Sequence, residues 1–146
     1  MSLFDWLLGR RRKRGPAAEW MARRAEAAPG TVIREHFAAM VAHDLDWILA
    51  TLTPERGRLY TGPTTIDKRR LSVRDARVLE VERAPEAPDP VAGYAEQLLF
   101  RVEFELELVP GEELRDPSLK AGRQWAYYLL VREKPGKPWL IADWGR

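Results

Sequence analysis

The chain has 146 residues, of which 45% are hydrophobic and 32% charged, and its formal net charge is +2. This length fits one domain, and the hydrophobic content is too high for an intrinsically disordered chain. Cysteine is absent, which excludes disulfides, zinc–thiolate sites and a cysteine nucleophile, and no apolar run approaches the roughly 18 residues of a membrane span. Asparagine, another thermolabile residue, is also absent, and we expect a heat-stable protein.

The basic charge is concentrated at the N-terminus. Residues 1–24 carry seven basic and two acidic side chains, a net charge of +5, so the rest of the chain sums to −3. The body of the protein therefore offers no evident surface for a polyanion, and the sequence argues against nucleic acid as a partner.

The first predicted element is a short amphipathic and basic peptide, residues 1–15, which we expect to be flexible by itself. Two helical turns are too short to be stable in water unless their apolar face docks on something. The apolar side chains precede the basic run and form too short a core for a secretory signal. The predicted membrane-binding residues are Leu3, Phe4, Trp6, Leu7, Leu8, Arg10, Arg11, Arg12, Lys13 and Arg14.

This peptide predicts a weak, reversible tether to an anionic membrane surface. Its apolar side chains can enter the headgroup region while the basic ones lie on lipid phosphates. Docking on a partner protein, binding of nucleic acid through residues 10–14 and a disordered leader are the alternatives. Nucleic acid has the least support, because the body adds no basic stripe. We expect a cytoplasmic protein with peripheral attachment to the inner membrane face.

Helices follow the N-terminal peptide. One is predicted over residues 16–28, with Pro29-Gly30 ending it, and Thr31 is expected to cap a longer helix over residues 32–51. Residues 53–55, Thr-Pro-Glu, have the pattern of the cap and first turn of another short helix.

From residue 71 onward apolar and polar side chains alternate, which is the period of β-strands. Strands are predicted over residues 71–83, 94–109, 121–133 and 138–145, with a bulge in the first near Asp75. Lys134-Pro135-Gly136-Lys137 has proline and glycine where a type II turn requires them. In the third strand the alternation predicts a core face made of Trp125, Tyr127, Leu129 and Val131.

Helices that come first and long strands that come last predict an α+β fold. We expect one domain, residues 16–146, in which the N-terminal helices pack on the dry face of a strongly curved antiparallel sheet. The clearest strand, residues 94–109, has one apolar and one charged face, as antiparallel sheets exposed to water on one side do.

Three features form a combined pattern: the order of elements, the stretches 36–40 and 49–54, and a last strand that contains Trp139, Ile141, Trp144 and Gly145. This pattern gives the chain a resemblance to the nuclear transport factor 2-like (cystatin-like cone) superfamily over residues 17–146. It implies a cone-shaped fold with a pocket between sheet and helices, and a homodimer formed through the exposed sheet. The superfamily includes ketosteroid isomerase, scytalone dehydratase and many small bacterial domains without known activity, so the resemblance does not choose a function.

Five polar residues are the candidates to face such a pocket: Tyr60, Asp75, Tyr94, Tyr127 and Asp143. An isomerase-like site needs a carboxylate base and a neutral hydrogen-bond donor. None of the five lies in a stretch that matches the enzymes' motifs, so no catalytic residue is assigned. We predict a non-catalytic domain that binds a small ligand or a protein, with a small isomerase or dehydratase as the alternative.

No metal or cofactor is predicted. His36 and His43 are seven residues apart, about 10 Å along a helix, which is too far to hold one metal ion together. They are expected to be two histidines at the boundary of the core. The sequence also lacks the glycine-rich patterns that bind nucleotide phosphates.

Overall fold

The computed structural model describes residues 15–61, 73–110 and 120–146. Within these ranges four helices precede four strands, which confirms the α+β prediction. The helices are α1 (Gly15–Arg23), α2 (Pro29–Val41), α3 (Leu45–Ala50) and α4 (Pro54–Thr61), with a 3-10 turn at Arg24–Glu26 after α1. The strands are β1 (Val73–Arg83), β2 (Glu96–Leu108), β3 (Gly122–Arg132) and β4 (Leu140–Gly145).

The strands form one antiparallel sheet in the order β1-β2-β3-β4. The register of β1 on β2 shifts between Val73 and Asp75, close to the predicted bulge. The turn between β3 and β4 is confirmed as well. There the N–H of Lys137 donates to the carbonyl of Lys134 at 3.1 Å, and Gly136 has a φ of 90°.

The hydrophobic core lies between the helices and one face of the sheet, which we call the inner face. On β2 the inner face follows the predicted alternation and buries Phe100, Val102, Phe104, Leu106 and Leu108. Helix α2 packs against it through Phe37, whose ring centroid lies 5.0 Å from that of Phe104 and 5.8 Å from that of Tyr128.

The opposite, outer face carries ion pairs within β2 and between β2 and its neighbouring strands. The Glu103 carboxylate accepts hydrogen bonds from Arg101 and from Arg123, each at 3.0 Å. These bonds hold the pKa of Glu103 below its usual value. The Arg101 guanidinium also lies 4.7 Å from the ring centroid of Trp125. The outer face therefore has the charged surface of a sheet that contacts water on one side.

The start of α2 differs from the prediction. Pro29 begins this helix, and Ala28 precedes it as the N-cap, so Pro29-Gly30 opens α2 instead of ending the helix before it. Proline suits the first helical position because the N–H that it lacks would have no partner there. Thr31 is thus inside the first turn and is not the cap.

The single helix predicted over residues 32–51 is also wrong, because it is broken into α2 and α3. His43 has a φ of 52°, which ends α2, and its ring nitrogen Nε2 donates to the Val73 carbonyl at 2.7 Å. Asp44 then caps α3, since its Oδ1 accepts the N–H of Trp47 at 3.2 Å. The break between α2 and α3 is thus accompanied by a hydrogen bond from His43 to β1, which lies 30 residues further along the chain.

The core face predicted for β3 is the wrong one along most of the strand. Ala126, Tyr128 and Leu130 are buried, whereas Trp125, Tyr127 and Leu129 are only partly buried. Residues directly opposite each other in an antiparallel pair point to the same side. The pairing of β3 with β2 places Ala126 opposite the buried Val102. The even-numbered residues of β3 therefore face the helices, and Val131, near the end of the strand, is buried in addition.

Candidate functional site

An open pocket of about 230 Å³ lies on the inner face of the sheet. Its described lining comes from β2, β3 and β4 and from residues next to the ends of β3 and β4. The floor is apolar and consists of Phe104, Leu106, Ala126 and Tyr128. Trp144 forms a wall, and the polar rim is made of Lys120, Gln124 and Arg146.

Small residues on β3 leave the space for this pocket. Gly122 pairs with Leu106, and Ala126 pairs with Val102, so β3 contributes little volume over these two large side chains. Gly122 has a φ of 94°, and a Cβ built on it would meet no atom within 4 Å. Between the two, Gln124 pairs with Phe104 and brings an amide to the apolar floor.

Trp144 is held in place by contacts on several sides. Its ring is stacked on that of Tyr128 with a centroid distance of 5.8 Å, and the His36 ring lies 5.4 Å away. The Arg56 guanidinium lies 3.9 Å from the Trp144 ring centroid and donates to Asp143 Oδ1 at 3.1 Å. A cation over an indole face is attractive, and the ion pair orients the guanidinium. The wall is therefore preorganised.

A buried polar pair lies behind this wall. His36 and Thr51 are 1% and 0% exposed, and His36 Nδ1 lies 2.9 Å from Thr51 Oγ1. The Thr51 hydroxyl donates its one hydrogen to the Ile48 carbonyl at 2.6 Å. It can then only accept from His36, so the Nδ1 atom of His36 carries a hydrogen. His36 is thus a core residue and not a boundary one.

The rim of the pocket is cationic. Lys120 and Arg146 are exposed, and no acidic side chain is among the described lining residues. Gln124 Nε2 donates to the Lys120 carbonyl at 2.7 Å, and Arg146 Nε donates to the Trp125 carbonyl at 3.2 Å. These bonds tie the rim to the backbone of β3 and of the residues just before it. The pocket therefore combines an aromatic floor with a positive entrance.

The five residues predicted to face a pocket are dispersed, and none of them is in the described lining of this one. Tyr60 is 1% exposed within α4, where it is a core residue. Asp75 is exposed on β1, and its Oδ1 accepts the N–H of Ala76 at 2.9 Å. The bulge at the start of β1 accompanies this exposure, since it changes the register of the strand there.

Tyr94 links the segment before β2 to helix α4. Its hydroxyl donates to Glu55 Oε2 at 3.2 Å. Burial raises the pKa of Tyr94, and the Glu55 carboxylate adds to the effect. The pKa of Glu55 is lowered, first by a bond from its own backbone N–H and also by the bond from Tyr94. This pair connects two elements and contacts no described part of the inner pocket.

Tyr127 and Asp143 are brought together, but on the outer side. They line a shallow hollow of about 220 Å³ whose other members include Leu99 and Leu129. The strand pairing places Asp143 opposite Leu129, which explains why it lies beside the outward Tyr127. Asp143 forms an ion pair with Arg56, so the carboxylate in this hollow already has a cationic partner.

Sequence reasoning missed the inner pocket because it chose the other face of β3. The even-numbered residues of β3 have a pattern that indicates a cavity. Gly122, Gln124 and Ala126 form a small–polar–small series that precedes the large Tyr128 and Leu130 on the same face. Such a series on the covered face of a sheet leaves a cavity instead of a filled core.

The predicted membrane-binding residues, from Leu3 to Arg14, lie outside the described residues. Along the part of the chain that the structure describes, no helix has the length and apolar character needed to cross a membrane. The same part contains no group of three histidine or carboxylate side chains placed to hold a metal ion.

Residues 30–145 match the family described as Domain of unknown function (DUF4829), and the chain belongs to this family. No curated protein and no solved structure matches the chain. The match begins in the first turn of α2 and ends with β4, so it includes the strands that build the floor and wall of the pocket.

Proposed function

We propose that the protein is a non-catalytic domain that binds a small ligand in the inner pocket. One observation carries this proposal: an apolar floor, with the Trp144 wall stacked on Tyr128, opens at a polar, cationic rim. Binding sites for small molecules are concave, mostly apolar and furnished with a few placed polar groups. Helices covering an antiparallel sheet, with a pocket on the covered face, also support membership of the nuclear transport factor 2-like superfamily.

A small isomerase or dehydratase is the alternative function. It requires a carboxylate that can take up a proton beside an apolar pocket. The hollow with Tyr127 and Asp143 offers a carboxylate, but that carboxylate is in an ion pair with Arg56 at 3.1 Å. A general base must have its lone pair available to the substrate, so these contacts favour binding over catalysis.

The test uses the full-length chain labelled with 15N and a set of small aromatic and aliphatic compounds followed by NMR. We expect chemical-shift changes that cluster at the pocket, around Ala126 and Tyr128. The substitution Ala126→Leu fills the floor and is expected to weaken binding at least about tenfold, because burial of the ligand's apolar surface is lost. Ala95→Leu, at an exposed position outside the pocket, is the matched control. Shift changes that are absent, or that are the same in both variants, would contradict the proposal.

We further propose that residues 2–14 attach this domain weakly to anionic membranes, as their composition indicates. The measurement is co-sedimentation with vesicles of anionic or neutral lipid. The full chain is compared with a variant in which the basic residues 10–14 are replaced by glutamine. Salt-sensitive binding to anionic vesicles that the variant loses would support the tether, and equal sedimentation of both forms would refute it.

A further inference from the structure

We infer that the inner pocket selects a small anionic aromatic compound, one ring carrying a carboxylate. This inference rests on the proposed function, since it names the ligand class of the same site. The volume of the pocket limits the size of the ligand. An apolar cavity of about 150 Å³ is large enough for benzene, so about 230 Å³ accommodates one ring with a small polar substituent.

The floor and wall favour an aromatic ring over an aliphatic chain. Phe104, Tyr128 and Trp144 all line this one small space, and Trp144 is the most exposed of the three rings. Aromatic pairs gain energy beyond their buried area when they are offset-stacked or edge-to-face. Stacking of Trp144 on Tyr128 and packing of Phe37 against Phe104 hold these rings before a ligand enters. Little side-chain entropy is then lost on binding.

The rim sets the sign of the ligand's charge. Lys120 and Arg146 provide two cationic side chains at the entrance, and no described lining residue has an acidic side chain. The Arg146 bond to the Trp125 carbonyl uses Nε, and a guanidinium has four further N–H donors, whose planar geometry suits a carboxylate. With the ring on the apolar floor, a carboxylate is placed at the exposed rim, where it retains water as well as these donors.

The test compares three ligands of nearly equal shape: benzoate, neutral benzamide and cationic benzylamine. Each is titrated into the full-length 15N-labelled protein at low ionic strength. We expect benzoate to bind about tenfold more tightly than benzamide, because the two exposed cations of the rim attract a carboxylate and not a neutral amide. Benzylamine is expected to bind more weakly than either. Because both cations are exposed, 1 M salt is expected to remove most of the preference.

Two double variants test whether Lys120 and Arg146 cause the preference for benzoate. In Lys120→Gln/Arg146→Gln the preference for benzoate over benzamide is expected to fall below about twofold. The control Lys134→Gln/Lys137→Gln removes the same charge from the β3–β4 turn and is expected to keep the preference. If both variants keep it, the assignment of the rim is overturned. The salt titration of the unaltered protein gives a second readout that needs no substitution.

The remaining outcomes separate this inference from the proposed function. If benzoate and benzamide bind equally and shift the same pocket resonances, the inference on charge is overturned and the pocket remains a binding site. If cyclohexane carboxylate binds as tightly as benzoate, the preference for a ring is overturned. If no compound shifts the resonances of the pocket, the proposed function fails and this inference fails with it.

Discussion

Replacing Thr51 with valine tests the buried polar pair behind the wall of the pocket. Valine has nearly the shape of threonine but lacks the hydroxyl, so the substitution removes hydrogen bonds without opening a cavity. Thr51 is 0% exposed, which means that water does not replace what is lost. The His36 ring that Thr51 orients lies against Trp144, so the change also tests the support of the site.

The magnitude follows from the partners of the hydroxyl. His36 Nδ1, at 2.9 Å, loses the acceptor of its N–H, and a buried donor without its acceptor costs about 1–3 kcal/mol. The Ile48 carbonyl loses less, because it still accepts the backbone N–H of Thr51 at 3.0 Å. We therefore expect about 2 kcal/mol less free energy of unfolding. For a domain of this size that corresponds to a fall in Tm of about 7 °C.

Urea denaturation and thermal melting followed by circular dichroism measure this loss. Thr51→Ser is the matched control, because it keeps the hydroxyl and removes one buried methyl group, at a cost of about 1 kcal/mol. The near-ultraviolet spectrum should change more in the valine variant, since Trp144 is one of the six tryptophans whose packing it reports. A valine variant as stable as the serine variant would refute the proposed bonding of His36.

Three further predictions concern stability. Asp44→Ala removes the cap of α3 and should cost about 1 kcal/mol in urea denaturation, whereas Asp44→Asn should be nearly neutral. Gly136→Ala forces a side chain to a φ of 90° and should cost about 1 kcal/mol, with Gly145→Ala, where no positive φ is required, as the control. Hydrogen bonds from two arginines lower the pKa of Glu103 in the folded protein below the ordinary value of 4.5. The stability that the ionised Glu103 adds should therefore be complete above pH 4.5, and it should disappear as the pH falls through the lower folded pKa. Glu103→Gln should therefore flatten the acid side of a plot of Tm against pH, and an unchanged plot would contradict this.

Local chemistry was sufficient to predict several elements. From Phe100 to Leu108 the even-numbered residues of β2 are apolar and the odd-numbered ones are charged, so burial of one face is the only arrangement that keeps the charges in water. The turn at Gly136 and the start of α4 at Thr53-Pro54 were also readable, because each depends on the conformational preference of one or two residues. The order of helices before strands then determined the fold class.

The break between α2 and α3 depended on the tertiary structure. Apolar residues recur at helical spacing on both sides of it, so the local pattern favours a continuous helix. The left-handed conformation of His43 is accompanied by its hydrogen bond to the carbonyl of Val73, on a strand distant in sequence. The sequence around His43 contains no information on that partner, and helix propensity is a weak guide where tertiary contacts oppose it.

The sequence by itself determined that this chain forms helices over an antiparallel sheet with one dry face. The tertiary structure decided which face of β3 is dry, and with it where the pocket is. Both faces of β3 carry large apolar side chains, so alternation alone does not distinguish them. The hydrogen-bond register with β2 distinguishes the two faces, because it places Ala126 and Tyr128 opposite residues of β2 that are buried in the core. Strand pairing couples the faces of neighbouring strands, and that coupling placed Gln124 and the aromatic floor in one cavity.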